Sequence, residues 1–120
     1  MSDTRTLNDE LQKLKGQYLS SVEFVADYVQ LHFDDFTLTA YTPIDIIKNK
    51  EKTSIESAKY KDFLCSLIQM QVKEASFVED RDMTLTFENN IDLKISVEKD
   101  SYRGPEALQL TSKNGPIWVA

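Results

Sequence analysis

The sequence contains few cysteines, histidines, glycines and prolines, and each shortage excludes a class of protein. Cys65 is the only cysteine among 120 residues and His32 is the only histidine, so the chain can form neither an intrachain disulfide nor a zinc site of cysteines and histidines. Three glycines and three prolines exclude a collagen-like chain and argue against disorder. A chain with a single thiol fits a reducing compartment.

Long apolar runs are also missing. No stretch approaches the roughly 18 residues of a membrane-spanning helix, and residues 1–14, MSDTRTLNDELQKL, are polar where a signal peptide has its apolar core. We therefore expect a cytoplasmic protein with no membrane partner. The length is that of one ordinary domain, so we expect a single domain over residues 1–120.

Positive charge is in deficit, because 14 lysines and arginines face 20 aspartates and glutamates, for a net charge of −6. Nucleic-acid binding needs clustered lysines and arginines that displace counterions from phosphates, so this balance predicts no nucleic-acid partner. The exception is residues 48–61, KNKEKTSIESAKYK, with five lysines against two glutamates. We predict that this basic stretch is a solvated connector between two halves of the chain.

An internal match at an offset of 53 residues is the most informative pattern in the sequence. It places Leu11 on Leu64, Leu14 on Leu67, Val22 on Ala75 and Phe24 on Phe77. The offset grows by one residue at each of two predicted turns, where insertions are tolerated. We predict two copies of a unit made of one helix and three strands, over residues 5–47 and 53–100, each range being approximate.

Each copy begins with helix signals. Leu7, Leu11 and Leu14 are spaced as one stripe of a helix, and Gly16 follows where a left-handed residue would end it. TSIE (53–56) has the spacing of a capping box and predicts the start of the second helix. The apolar stripe of that helix consists of Tyr60, Phe63, Leu64, Leu67 and Ile68.

The strands alternate apolar and polar residues with period two, in YVQLHF, FTLTAY, DMTLTF and IDLKISV. This pattern is typical of antiparallel strands with one covered face and one wet face. The turn residues at 34–35 (DD) and 88–90 (ENN) favour tight hairpins, and residues 104–120 predict a C-terminal hairpin with no match in the first copy.

The predicted fold class is therefore α+β. It consists of an internal duplication of a helix and a three-strand meander, with an antiparallel sheet, helices on one face and a C-terminal β-hairpin that closes a sheet edge. Both one continuous sheet and two packed sheets bury the same apolar faces, so this alternative stays open.

Three carboxylates, Glu79, Asp80 and Asp82, surround Arg81 just before the strand DMTLTF, and they are a candidate cation site because hard cations prefer carboxylate oxygens. A calcium loop needs wider, regular spacing and a glycine, and the matching turn of the first copy keeps only Asp27. We therefore predict a solvated hairpin turn, and the alternative that stays open is that Glu79 and Asp82 face a partner.

Cys65 and His32 are the remaining candidates for catalysis, as a thiol and imidazole pair. The spacing predicts that Cys65 is a small buried hydrophobe of the second helix and that His32 lies on the polar face of a strand, on the wrong side of the sheet to meet it. The sequence has no glycine-rich phosphate loop, nucleophile elbow or Walker motif. We expect no enzymatic activity, no cofactor and no metal.

Aromatic side chains indicate where a protein partner binds. Tyr28 and Tyr41 are predicted on wet strand faces, and the tail carries a tyrosine, an arginine and a tryptophan, residue types that anchor protein interfaces. For Trp118 the alternative is a plug at the end of the core. The partner-binding candidates are Tyr28, Glu79, Asp82, Tyr102, Arg103 and Trp118.

Short motifs that cover most of the chain share one arrangement: LKGQYLSSVEF, LHF, Pro43 after the third strand, LIQMQVKEASF, LTF, LKI, and YRGPEAL before a terminal Trp118. Together they resemble a group of small bacterial two-repeat α/β domains that end in a Gly-Pro-Glu-Ala or Glu-Ala-Trp segment, some of which are encoded beside toxin genes. Where that group commonly has glycine between the second helix and its strand, this chain has IQMQ. The resemblance contributes no catalytic residues.

The resemblance implies an immunity-type protein, an acidic cytoplasmic partner that neutralises a toxin domain, and the negative charge favours encounter with a basic surface. The alternative is a self-associating scaffold module, in which the tail hairpin or an exposed edge strand pairs with a second copy to form a homodimer. A third hypothesis is a small cysteine-dependent enzyme built on Cys65.

Overall fold

The computed structural model describes residues 4–26, 28–54, 56–102, 104–112 and 117–119, with side chains at all of these except 4–7, 117 and 118. Two short helices, α1 (Thr4–Leu11) and α2 (Tyr60–Ser66), are each followed by five strands. Turns of 3-10 helix lie at Gln12–Leu14 and Lys99–Ser101. The strands are β1 (Ser21–Val25), β2 (Tyr28–His32), β3 (Phe36–Ala40), β4 (Ile44–Lys48), β5 (Glu51–Thr53), β6 (Val72–Val78), β7 (Asp82–Phe87), β8 (Asp92–Ser96), β9 (Leu108–Ser112) and β10 (Ile117–Val119).

The strands form two five-stranded sheets. The first has the order β1-β2-β3-β9-β10, and the second has the order β5-β4-β8-β7-β6. Neighbouring strands in both sheets are antiparallel, as the alternation of apolar and polar residues predicts. The α+β class is confirmed, and of the two alternatives the structure has two sheets.

The chain crosses between the two sheets after each meander. It leaves β3 through residues 41–43 and enters the second sheet as β4, where Ile46 lies opposite Leu93 of β8. After β8 it returns to the first sheet as β9, where Leu110 lies opposite Leu38 of β3. The C-terminal β9–β10 hairpin therefore occupies in the first sheet the place that the β4–β5 hairpin occupies in the second.

The predicted hairpin turns at 34–35 and 88–90 are confirmed. The backbone N–H of Phe33 donates to the carbonyl of Phe36 at 2.8 Å across the first turn. Asn90 has a φ of 63° in the second turn, a left-handed conformation that asparagine tolerates because its short side chain can hydrogen-bond locally.

The basic stretch predicted as a connector is in part a β-hairpin, so that prediction is wrong for its first half. The chain reverses at Asn49 and Lys50, which have φ values of 52° and 68°, and β5 then pairs with β4. Two consecutive left-handed residues are the geometry of a tight hairpin turn. Lysine is not a residue that favours this turn, so the sequence signal for it is weak.

The second helix begins at Tyr60 and not at the predicted capping box. Thr53 is the last residue of β5 and lies opposite Ile46, so the strand ladder holds it in an extended conformation. Lys59 stands at the N-cap with no side-chain hydrogen bond. The stripe of this helix is confirmed in part, because Tyr60, Leu64 and Leu67 are buried.

The segments that follow the two helices lie side by side. The N–H of Gly16 donates to the carbonyl of Val72 at 2.8 Å, and the N–H of Gln69 donates to the carbonyl of Leu19 at 2.7 Å. Gly16 has a φ of 87° and Gln69 a φ of 75°. Gly16 therefore has the left-handed conformation predicted for it, and Gln69 adopts the same conformation within IQMQ, where a side chain raises its cost.

Both sheets and both helices contribute to one buried cluster. The first sheet supplies Leu31, Leu38 and Leu110, the second supplies Leu85, Leu93 and Phe87, and the helical segments supply Leu11, Leu14, Leu64 and Leu67. Burial of these side chains, at roughly 1.5–3 kcal/mol each, is the main stabilisation of the fold.

The two helices contact different sheets. Helix α1 lies against β6, the edge strand of the second sheet, and α2 lies against β1, the edge strand of the first. The expectation of both helices on one face is therefore not confirmed. Neither described helix has the length and apolarity needed to cross a membrane.

Candidate functional site

The carboxylate cluster at 79–82 lies at the turn between β6 and β7. Asp80 has a φ of 65°, and the N–H of Arg81 donates to the carbonyl of Val78 at 3.1 Å, which closes the turn. Glu79, Asp80 and Arg81 are exposed. We call Glu79, Asp80 and Asp82 the acidic tip, and the structure confirms that it is the turn of a hairpin.

Asp82 is engaged within the second sheet. The hydroxyl of Thr84 donates to its Oδ1 at 3.2 Å, and the Nζ of Lys94 lies 4.0 Å from its Oδ2. Asp82 is half-buried. Its carboxylate is therefore partly accessible at the acidic tip, while its contacts with Thr84 and Lys94 hold it against the second sheet.

Tyr102 lies beside the acidic tip. The segment after β8, which leads to Tyr102, is hydrogen-bonded to the acidic tip. In this bond the N–H of Val97 donates to the carbonyl of Arg81 at 2.9 Å. The ring of Tyr102 is half-buried against the core. Burial first, and the negative charge of Asp80 second, raise the pKa of Tyr102 above its ordinary value.

The structure therefore brings together three of the six predicted partner-binding residues, Glu79, Asp82 and Tyr102. Tyr28 lies in the first sheet, away from them in the topology. Arg103 and the side chain of Trp118 lie outside the described residues, although the backbone of Trp118 pairs with Leu110 in β10.

A metal site and a thiol and imidazole pair find no geometric support. Among the residues with a described structure, no three histidine, cysteine or acidic side chains are grouped to hold a metal ion. His32 uses its two ring nitrogens within the first sheet, with Thr37 Oγ1 at 3.3 Å from Nδ1 and Glu23 Oε1 at 3.2 Å from Nε2. Its position on the polar face is confirmed.

The prediction that Cys65 is buried is wrong, because the residue is exposed. Helix α2 turns Tyr60, Leu64 and Leu67 inward, at intervals of four and three residues, and Cys65 follows Leu64 by one position. One residue is about 100° around a helix, which rotates the thiol out of the buried stripe.

A second candidate site was not predicted as such from the sequence. It is a cleft of about 630 Å³ between β1, the end of β3 and the start of α2, and we call it the aromatic cleft. This volume is within the range of ligand-binding pockets, roughly 300–1,000 Å³. Its walls include Phe24, Tyr28, Tyr41, Pro43, Tyr60 and Lys61.

The aromatic side chains of the cleft are held by one another. The rings of Tyr28 and Tyr41 are 5.5 Å apart between centroids and tilted by 58°, a favourable arrangement for an aromatic pair. Both tyrosines are half-buried, like Gln30 and His32 on the polar face of β2. The Nζ of Lys61 lies 5.5 Å from the centroid of the Phe24 ring, within cation–π distance.

Tyr60 is the most buried aromatic residue of the cleft, with 3% of its surface exposed. Burial first, and the charge of Asp45 second, raise the pKa of Tyr60 to about 12. The phenol therefore keeps its proton to a higher pH than an exposed tyrosine does. Tyr28 was the one cleft residue among the predicted set, and the surrounding basic stretch was the other available signal.

Comparison with known proteins does not assign a function to the acidic tip or to the aromatic cleft. No protein-family model, no curated protein and no solved structure matches the chain. The function is therefore inferred from the acidic tip and from the aromatic cleft.

Proposed function

We propose that the protein is a non-enzymatic, acidic protein-binding module, and specifically an immunity-type protein of the cytoplasm that neutralises a toxin domain. The observation that carries the proposal is the acidic tip with Tyr102 beside it. Two exposed carboxylates, a third held in the sheet and a half-buried tyrosine whose pKa is raised by burial and by Asp80 lie at one end of the second sheet.

This combination is suited to a basic protein surface. A net charge of −6 speeds diffusional encounter with a positively charged partner, and carboxylates at the contact then select the partner. The half-buried Tyr102, close enough to Asp80 to respond to its charge, supplies apolar area that charged residues alone do not provide.

The test is co-expression with a basic toxin domain encoded beside the gene, followed by kinetic measurement of the complex. We expect neutralisation of the toxin, co-elution, and an association rate that falls steeply with salt. Reversal of charge by Glu79→Lys should lower the association rate by roughly tenfold at low salt.

Glu88→Lys is the matched control, because Glu88 is exposed at the opposite end of β7 and the substitution makes the same change in net charge. It should alter the rate much less. A toxin that stays fully active, or equal losses from the two substitutions, would contradict a role for the acidic tip.

Self-association is the second candidate function, and the exposed edge of β10 favours it. β10 is the last strand of the first sheet, and Val119 on it is 38% exposed. Unpaired edge strands are templates for pairing with another copy. Val119→Lys should convert a dimer into a monomer in sedimentation experiments, and a wild-type mass that is monomeric at every concentration excludes this alternative.

We also infer that the two helix and strand units arose by internal duplication. Shifting the Gly16 to Val72 hydrogen bond by 53 residues gives the Gln69 to Leu19 bond, and both Gly16 and Gln69 are left-handed. Two five-stranded sheets with corresponding strand orders support the same inference. The duplication would include the β4–β5 and β9–β10 hairpins, which the sequence match leaves unpaired.

A further inference from the structure

The edge of β6 is closed in part by a side chain of α1 and by one from the 3-10 turn that follows it. Oδ1 of Asn8 accepts from the N–H of Phe77 at 2.9 Å, and Nδ2 of Asn8 donates to the carbonyl of Phe77 at 3.1 Å. Nε2 of Gln12 donates to the carbonyl of Ala75 at 3.2 Å. Three outward backbone groups of this edge strand, the N–H and carbonyl of Phe77 and the carbonyl of Ala75, are thus bonded within the molecule.

The edge strand β1 pairs with β2 in the same hairpin register as β6 with β7, but the helix beside it is α2 and not α1. Phe24 lies opposite Val29 as Phe77 lies opposite Met83, one residue before the pair that closes the hairpin. Antiparallel pairs alternate in the direction of their backbone groups, so the N–H and carbonyl of Phe24 point away from β2, as those of Phe77 point away from β7.

Helix α2 offers no side chain that bonds to this edge. At the offset of 53 residues, Lys61 corresponds to Asn8 of α1, and Cys65 corresponds to Gln12, the first residue of the 3-10 turn after α1. Lysine has donors only, its Nζ lies over the Phe24 ring, and Cys65 is exposed. Among the described residues, no backbone or side-chain hydrogen bond joins α2 to β1, because the side-chain bond of α2 stays within the helix and that of Glu23 goes to His32.

Lys61 is the charged side chain among the described residues that line the aromatic cleft, and its charge is opposite in sign to the net charge of the chain. Lys59 and Lys61 are exposed at the start of α2, at the end of the basic stretch, and neither forms an ion pair with a described residue. An acidic group is attracted here, whereas the net charge of −6 repels it elsewhere.

We propose that β1 and the aromatic cleft bind an extended, acidic segment of a partner protein, which adds to the first sheet as a further strand beside β1. The backbone of the partner segment hydrogen-bonds to the backbone of Phe24. One large apolar side chain of the segment enters the cleft between Tyr28 and Tyr60, and one of its carboxylates pairs with Lys61. Strand addition of this kind draws affinity from backbone hydrogen bonds and specificity from pockets for alternate side chains.

The geometry of a strand sets the pattern of the segment. Side chains two residues apart point to the same face and are separated by roughly 7 Å. The apolar residue and the acidic residue therefore occupy positions i and i+2, with the residue between them facing away from the cleft.

The test is an array of eight-residue peptides of the form Thr-Thr-X-Thr-Z-Thr-Thr-Thr, with Phe, Leu, Thr or Lys at X and Glu or Lys at Z, titrated against the full chain. We expect the peptides with Phe or Leu at X and Glu at Z to bind most tightly, by roughly tenfold over those with Thr at X, which corresponds to about 1.4 kcal/mol.

Backbone pairing is tested by N-methylation of single amides in the best peptide. Methylation of alternate amides should reduce affinity by roughly tenfold or more, while methylation of the amides between them should not, because only every second amide of an edge strand faces its neighbour. Equal effects at all positions would exclude strand addition.

Lys61→Glu should weaken the best peptide by roughly tenfold and remove the preference for Glu at Z. Lys73→Glu on β6 is the matched control, because Lys73 is exposed and makes the same change in net charge. Equal losses in both variants, or the absence of any binding peptide, would overturn the proposal.

Two other occupants give distinct outcomes. A second copy in the cleft would appear as a concentration-dependent dimer that Lys61→Glu dissociates, and a small aromatic acid would appear as binding of phenylpropionate as tight as that of the best peptide. Either result would replace the partner segment.

Discussion

The contact between α1 and β6 and the contact between α2 and β1 have the same arrangement of helix and strand, but they differ in how well the strand edge is covered. In both, a short helix lies against the first strand of a meander, and in both a phenylalanine stands one residue before the hairpin closure. At α1–β6 the contact is closed, and Phe77 is 9% exposed. At α2–β1 it is open, and Phe24 is 36% exposed beside a cleft of about 630 Å³.

Two helix positions account for the difference. Asn8 and Gln12 bond to the backbone of β6, while Lys61 and Cys65, at the offset of 53 residues, form no hydrogen bond to the described backbone of β1. A sheet edge needs partners for its outward N–H and carbonyl groups, from its own chain, from water or from another protein. The side chains of the covering helix thus decide whether the edge is closed or available.

Truncation of the two phenylalanines should have the largest and most unequal effect. Phe77→Ala removes a nearly buried ring and should lower the free energy of unfolding by about 3–5 kcal/mol. Phe24→Ala removes a ring that is more than a third exposed and should cost about 1–2 kcal/mol. Urea denaturation followed by circular dichroism measures both.

Equal losses in the two variants would show that Phe24 is as well packed as Phe77, and the comparison between a closed and an open contact would then fail. An unchanged denaturant dependence, the m value, is required for both variants, because a change in m indicates an altered denatured state.

Alkaline pH should show that the open contact is buried at its base. The pKa of Tyr60 is raised from its ordinary value of 10.0 to about 12, because the ring is buried and Asp45 is negative. The unfolded chain therefore loses this proton first. The contribution of the neutral Tyr60 to the free energy of unfolding is complete below pH 10. It is lost between pH 10 and 12, by roughly 2–3 kcal/mol in total.

Tyr60→Phe is the matched variant, because it keeps the ring and removes the ionisable hydroxyl. Between pH 10 and 12 its free energy of unfolding should fall less steeply than that of the wild type, by the amount due to this one group. Parallel curves for the two proteins would mean that Tyr60 titrates normally and that the base of the cleft is wet.

Local pattern was sufficient to predict most elements of the fold from the sequence. The alternation in DMTLTF and IDLKISV predicts β7 and β8, the turns at 34–35 and 88–90 are in place, and Gly16 is left-handed. These features depend on neighbours in the sequence, whose periodicity is visible in one chain.

Exchange between the sheets was not predictable in this way. The pairing of β4 with β8 and of β9 with β3 depends on contacts between residues far apart in sequence. The β4–β5 hairpin was missed because Lys50 is an unusual turn residue, and Thr53 resembled a helix cap although it ends a strand. Local propensity was overridden by the ladder in both cases.

The candidate sites show the same division. The acidic tip is a local feature of one turn, and its residues Glu79 and Asp82 were identified from the sequence. The aromatic cleft joins β1, β3 and α2, and of its walls only Tyr28 was among the predicted binding residues. Its main feature, an edge strand without a bonding side chain above it, requires the tertiary structure.

The smallest predicted effect compares the two helix positions directly. Asn8→Ala removes two hydrogen bonds to Phe77 and should lower the free energy of unfolding by about 1–2 kcal/mol. Lys61→Ala removes one exposed cation–π contact and should cost no more than about 0.5–1 kcal/mol. Amide hydrogen exchange gives a second readout, because loss of Asn8 should deprotect the N–H of Phe77, whereas the N–H of Phe24 should exchange rapidly in the wild type and in both variants. Slow exchange at Phe24 in the isolated protein would mean that the β1 edge is already covered, and it would then have no place for a partner strand.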